Sequence, residues 1–221
     1  TGYLDAAGAQ FAIVVSNPSD KLSATITVTD SDGPVLYDAN GDELTTEKLG
    51  PGELRVLNLP RRDANSTILA ALAYKVEATI PITVYQFNPL ENEDVYSNDA
   101  SLLLPVNVLG KWYIVMSREQ TFEMLRSYVT IVASHPDTTT VTVTVTAPTL
   151  PDDGIPHLEP GESVTMEMNQ YDVLNIETNK PGSDPTGTVV YATRPVAVFG
   201  GSEAANAPNT AHCDIAPGEE E

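Results

Sequence analysis

The residues best suited to chemistry are acidic and lie close together. Asp30-Ser31-Asp32-Gly33 and Asp38-Ala39-Asn40-Gly41-Asp42 concentrate hard oxygen donors, so that Asp30, Asp32, Asp38, Asn40 and Asp42 form a candidate calcium set. The EF-hand pattern does not fit, because the twelfth position counted from Asp38 is Leu49, where that loop needs a bidentate Glu. The same residues also read as two tight turns with solvated carboxylates, since Asn40-Gly41 tolerates the positive φ of a hairpin turn.

Nucleophiles and bases are scarce, at three His and one Cys. His135 precedes Pro136, and His157 lies just before the Pro160-Gly161 turn, so both read as loop residues. His212 and Cys213 are adjacent, and neighbours on an extended chain point to opposite sides, which works against a thiol–imidazole dyad. Zinc needs several Cys and His at ligand spacing, and no Gly-rich loop precedes a helix to cradle phosphate. No catalytic residue is assigned, no cofactor other than calcium is expected, and the protein is expected to be non-enzymatic. Cys213 reads as an inert thiol or, by preference, as half of a disulfide whose partner lies beyond Glu221. Asn65-Ser66-Thr67 matches the N-glycosylation sequon. Trp112 and the nine Tyr could line a carbohydrate-binding face, but Tyr37, Tyr74, Tyr85, Tyr113 and Tyr128 fall in strand-like runs that core packing explains as well.

Strands must position these residues, because Val, Ile, Thr and Tyr dominate at 11–15, 24–29, 54–59, 82–87, 128–133, 140–146, 173–176 and 189–199. Residues 140–146 alternate Thr and Val, which puts every Val on one face of a half-buried antiparallel strand. Three blocks then recur in order. Val15-Ser16-Asn17-Pro18 returns as Ala133-Ser134-His135-Pro136, and Leu49-Gly50-Pro51-Gly52-Glu53 as Leu158-Glu159-Pro160-Gly161-Glu162. Ala78-Thr79-Ile80-Pro81-Ile82-Thr83-Val84-Tyr85 returns as Ala192-Thr193-Arg194-Pro195-Val196-Ala197-Val198-Phe199. The expected fold class is therefore all-β, with two related sandwich-like units from an internal duplication. The first unit is expected over residues 1–95, bridging strands over 96–126, the second unit over 127–204 and an acidic tail over 205–221. Tyr85 and Phe199 are expected to be equivalent core anchors, with Gln86 facing away.

Charge narrows the function. The 221 residues carry 11 Lys plus Arg against 31 Asp plus Glu, a formal net charge of −20. That surface repels nucleic acid and anionic membranes. No apolar run is long enough for a membrane-spanning helix. The start at Thr1 suggests a processed or excised chain.

Four stretches resemble the N-terminal domain family of IgG-Fc-binding proteins. They are Ser16-Asn17-Pro18, residues 81–90 with Tyr85-Gln86-Phe87-Asn88-Pro89-Leu90, Ser97-Asn98-Asp99-Ala100-Ser101-Leu102-Leu103-Leu104-Pro105, and Pro195-Val196-Ala197-Val198-Phe199-Gly200-Gly201. The resemblance implies an extracellular β-rich module without known catalytic residues. It also implies that Cys213-Asp214 and Glu219-Glu220-Glu221 open a segment that continues into a longer protein. The single Cys looks more like a bacterial member than the Cys-rich vertebrate protein, and no residue set for Fc binding carries over. The expected function is a structural or adhesive module of a secreted or cell-surface protein, binding an extracellular protein partner or itself. The alternative is a carbohydrate-binding module with glycan partners.

Overall fold

The computed structural model describes residues 9–44, 47–91, 95 and 99–204. Strands dominate these residues, and the fold is all-β. In chain order the first eight are β1 (Ala12–Ser16), β2 (Ala24–Asp30), β3 (Gly33–Pro34), β4 (Glu47–Leu49), β5 (Leu54–Asn58), β6 (Ile68–Ala71), β7 (Lys75–Ala78) and β8 (Thr83–Asn88). They are followed by β9 (Asp99–Leu102), β10 (Gly110–Ile114), β11 (Ser127–Ala133), β12 (Thr139–Thr144), β13 (Ser163–Met168), β14 (Asp172–Glu177) and β15 (Val189–Ser202).

The chain divides into two compact units, Thr1–Asp63 with Ala73–Pro105, and Ala64–Leu72 with Val106–Glu221. In the first, one antiparallel sheet runs β5-β1-β8-β9, and a second runs β3-β2-β4 with β7 also on β2. Their inward residues Ile13, Val15, Ile26, Val28, Leu49 and Leu57 form one apolar core. In the second, the order is β13-β12-β15-β11-β14-β6, with β10 also on β15. The long β15 pairs with β12 and β10 through its N-terminal half and with β11 through its C-terminal half. Val129, Ile131, Val141, Val143, Leu174 and Val190 lie in its core. On β12, Val141 and Val143 are fully buried while Thr142 and Thr144 face outward, as the alternation predicts.

Residues 64–72 lie inside the stretch 1–95 yet belong to the second unit, and 106–126 do as well. The reason is β6, which pairs with β14. Leu69 packs against the second core, the Thr67 hydroxyl accepts the Glu177 N–H at 3.0 Å, and the Asn175 side-chain amide donates to the Ser66 carbonyl at 2.9 Å. The sequon threonine is thus a buried structural residue.

The recurring blocks make recurring bonds. Asn17 Oδ1 accepts the Ser19 N–H at 3.0 Å, and His135 Nδ1 accepts the Asp137 N–H at 3.0 Å. Glu53 Oε2 accepts the Gly50 N–H at 2.6 Å, and Glu162 Oε2 accepts the Glu159 N–H at 2.8 Å. In these turns Gly52 and Gly161 take φ of 71° and 91°, the conformation after Pro that glycine allows. The Thr25 N–H donates to the Thr79 hydroxyl at 2.9 Å, and the Thr140 N–H to the Thr193 hydroxyl at 3.0 Å. The strands beside the first and third blocks pair alike, β1 with β8 and β2 with β7 in the first unit, β11 and β12 with β15 in the second. The middle block departs from this scheme. Its turn closes against Asn17 at the end of β1 in the first unit, but against Val145 just past β12 in the second.

The expected core anchors require correction. Tyr85 is exposed, and Phe199, although half-buried, lies outside the core cluster. Ile82 and Val84 face the first core, and Val196 and Val198 the second. Alternation therefore sends both rings outward. The two positions match each other, but the compact branched residues fill the interior.

Candidate functional site: the outer sheet face of the second unit

The candidate calcium residues serve their own turns. Asp30 Oδ1 accepts the Asp32 N–H at 2.8 Å, and the other oxygen of Asp30 is paired with Arg62. Asp38 Oδ1 accepts the N–H groups of Asn40 and Asp42 at 2.8 and 2.9 Å. Among the described residues no group of three or more His, Cys, Asp or Glu is placed to hold a metal ion. His212, Cys213 and the acidic tail lie outside the described residues. Of the other histidines, His157 bridges the Thr149 carbonyl at 2.6 Å and Glu159 at 3.0 Å. The Glu159 and Thr149 hydrogen bonds hold its pKa above the ordinary value.

One buried carboxyl escapes sequence reasoning. The Glu177 side chain, 5% exposed, lies 3.6 Å from Arg126 Nε. Burial first, and Glu203 second, push its pKa up to about 7 against the opposing Arg126 charge, with Asp152 adding to the rise. Arg126 also donates to the Thr178 carbonyl at 2.9 Å, and its N–H donates to Glu203 at 2.7 Å. These bonds tie the ends of β11 and β14 together, which is a structural duty.

Solvent-facing apolar residues mark the surface that remains. On β10 the alternation buries Val115 just beyond the strand and turns Tyr113 inward, where its hydroxyl donates to the Val196 carbonyl at 2.7 Å. The opposite parity places Trp112 at 59%, Ile114 at 59% and Met116 at 83% exposure. Trp112 lies directly across from Tyr191, itself 55% exposed, and Ile114 lies across from Val189. The rows continue over β12 and β13 as Thr142 and Thr165, and as Thr144 and Ser163. Their hydroxyls pair at 2.9 Å and 2.8 Å. The result is a pair of uncharged rows with aromatic and aliphatic side chains at one side and a hydroxyl ladder at the other, and Glu167 is the next exposed residue of β13 beyond Thr165. Gly200 anchors its edge, because a Cβ there would meet the Met116 carbonyl oxygen at 2.2 Å.

The first unit has a smaller counterpart. Val56, Val14, Tyr85 and Leu102 stand directly opposite one another across β5-β1-β8-β9, and Val56, Tyr85 and Leu102 are exposed.

A family model described as IgGFc binding protein matches residues 99–217, more than half of the chain. The chain belongs to that family, whose members are extracellular protein-binding domains not known as enzymes. No curated protein and no solved structure matches. The matched stretch carries Trp112, Tyr191 and the whole hydroxyl ladder.

Proposed function

We propose that this chain is an adhesive module of a bacterial secreted or cell-surface protein, and that it holds an extracellular partner on the outer face of β10, β15, β12 and β13. The observation that carries this reading is the exposure of Trp112, Ile114, Met116 and Tyr191 on one sheet face. Monomeric proteins seldom leave such side chains together in water without a use for them, and Trp and Tyr are the residues that most often dominate binding energy. The single Cys fits the bacterial members better than the Cys-rich vertebrate protein. Among the described residues no helix is long and apolar enough to cross a membrane.

The test is binding of the purified chain to immobilised extracellular proteins, the Fc fragment of immunoglobulin G among them. On any protein that binds, Trp112→Ala and Tyr191→Ala should each weaken the interaction at least about tenfold, the usual cost of removing a hot-spot residue. Unchanged binding by both folded variants would remove the face from the account. The same pair of rings, beside hydroxyls, favours a second reading in which the module recognises carbohydrate.

A further inference from the structure

We infer that the ligand of this face is a neutral oligosaccharide, carried on a glycoprotein partner and stacked on Trp112 and Tyr191. The inference rests on the assignment of that face as the binding surface. It reconciles protein adhesion with carbohydrate recognition.

Size comes first. Neighbouring strands lie about 4.8 Å apart and residues advance about 3.3 Å, so the face spans roughly 14 Å from β10 to β13 and roughly 13 Å from Trp112 to Met116. The nine residues on it, the two rows of four and Met116, are well below the roughly 20–30 a side that a stable protein interface engages. The face suits a few sugar residues.

Charge comes second. The two central rows, Trp112-Tyr191-Thr142-Thr165 and Ile114-Val189-Thr144-Ser163, contain no ionisable group of either sign apart from the tyrosine phenol. An anionic sugar would find no counter-charge there, and the net charge of −20 would repel it. A second copy of the chain meets the same repulsion.

Chemistry comes third. An indole and a phenol offer apolar ring faces with polar edges, which match a pyranose with its C–H face on the rings and its hydroxyls at the rim. In each pair, Thr142 with Thr165 and Thr144 with Ser163, one proton is shared between the two oxygens. The second proton and the remaining lone pairs are left for a sugar hydroxyl.

Trp112 is the chain's single Trp, so its emission reports on this face alone. The whole chain is titrated with a series of neutral and anionic oligosaccharides, and in parallel bound to immobilised glycoproteins before and after glycan removal. The expected result is a saturable blue shift with at least one neutral oligosaccharide, equal at low and high salt. Glycan removal should abolish glycoprotein binding. Tyr191→Ala keeps the reporter and should weaken the sugar at least tenfold, with circular dichroism showing an unchanged fold; Thr142→Val gives a second variant that leaves both rings in place and should also bind more weakly. A response to anionic sugars in preference to neutral ones would overturn the inference. Binding that survives glycan removal but is lost in Trp112→Ala would overturn the sugar and leave the protein-binding reading standing. If neither form of any glycoprotein binds and no sugar changes the emission, both readings fall.

Discussion

Replacing Glu177 with Gln should stabilise the second unit at alkaline pH and leave it unchanged in acid. The carboxyl titrates at 4.5 without perturbation and near 7 in the fold, because burial and Glu203 disfavour its charge more than Arg126 at 3.6 Å favours it. The folded pKa lies above the unfolded one, so folding binds the proton. That contribution is whole below about pH 4.5 and is lost as pH rises through about 7. Moving the carboxyl from 4.5 to about 7 corresponds to about 3 kcal/mol at 1.36 kcal/mol per tenfold change, and the side chain is only 5% exposed, so solvent screens little of it. Gln keeps the shape of the neutral acid at every pH. Thermal melts followed by circular dichroism should show Glu177→Gln within about 1 °C of wild type near pH 4.5 and roughly 6–12 °C higher near pH 8.5. A difference that is the same at both pH values, or a destabilisation at the higher one, would refute the reasoning.

Three further outcomes follow from the packing. Gly200→Ala should destabilise the second unit by about 1–3 kcal/mol or more in a denaturant titration, since the new Cβ meets the backbone oxygen of Met116, which cannot rotate away as a side chain would. Asn17→Ala should cost about 3 kcal/mol in the first unit. It leaves the carbonyls of Leu22, Leu49 and Gly50, which accept from Asn17 Nδ2 at 2.7, 3.2 and 2.9 Å, without that donor. Ile131→Ala should cost about 2–5 kcal/mol in melts, while Tyr85→Ala, on an outer face, should stay within about 1 kcal/mol. Equal losses for these two would return Tyr85 to the core.

Local chemistry was legible in the sequence, and long-range pairing was not. Thr-Val alternation along β12 and the Pro-Gly turns are set by neighbouring residues, and both appear as the sequence predicts. The bonds of Asn17 and His135, of Glu53 and Glu162, and of Thr79 and Thr193 recur between the units, while the two Pro-Gly turns are seated differently. Alternation shows which residues share a face of β8 but not which face is buried, because Val84 and Tyr85 are both apolar, so an inward Tyr85 is as consistent with the sequence as the outward one found. The partner of β6, from Asp172 opposite Ala71 to Asn175 opposite Ile68, lies more than 100 residues away, beyond any local signal. For the candidate site a signal existed. Trp112, Ile114 and Met116 alternate with Tyr113 and Val115 in a run apolar on both sides, and only packing decides that the larger set stays outside. Nothing in Ile176-Glu177-Thr178 reveals that the carboxyl is buried, since that depends on Thr67, Arg126 and Glu203 arriving from elsewhere.

The proposed binding surface is the outer face of the second unit. Hydroxyl-radical footprinting of the whole chain, free and bound to a partner-coated surface, tests it residue by residue, because Trp112, Met116, Tyr191 and Tyr85 are all exposed and reactive. The account predicts that the partner protects Trp112, Met116 and Tyr191 and leaves Tyr85 unchanged. Protection of Tyr85 with Trp112 still fully oxidised would contradict it and move the binding surface to the first unit.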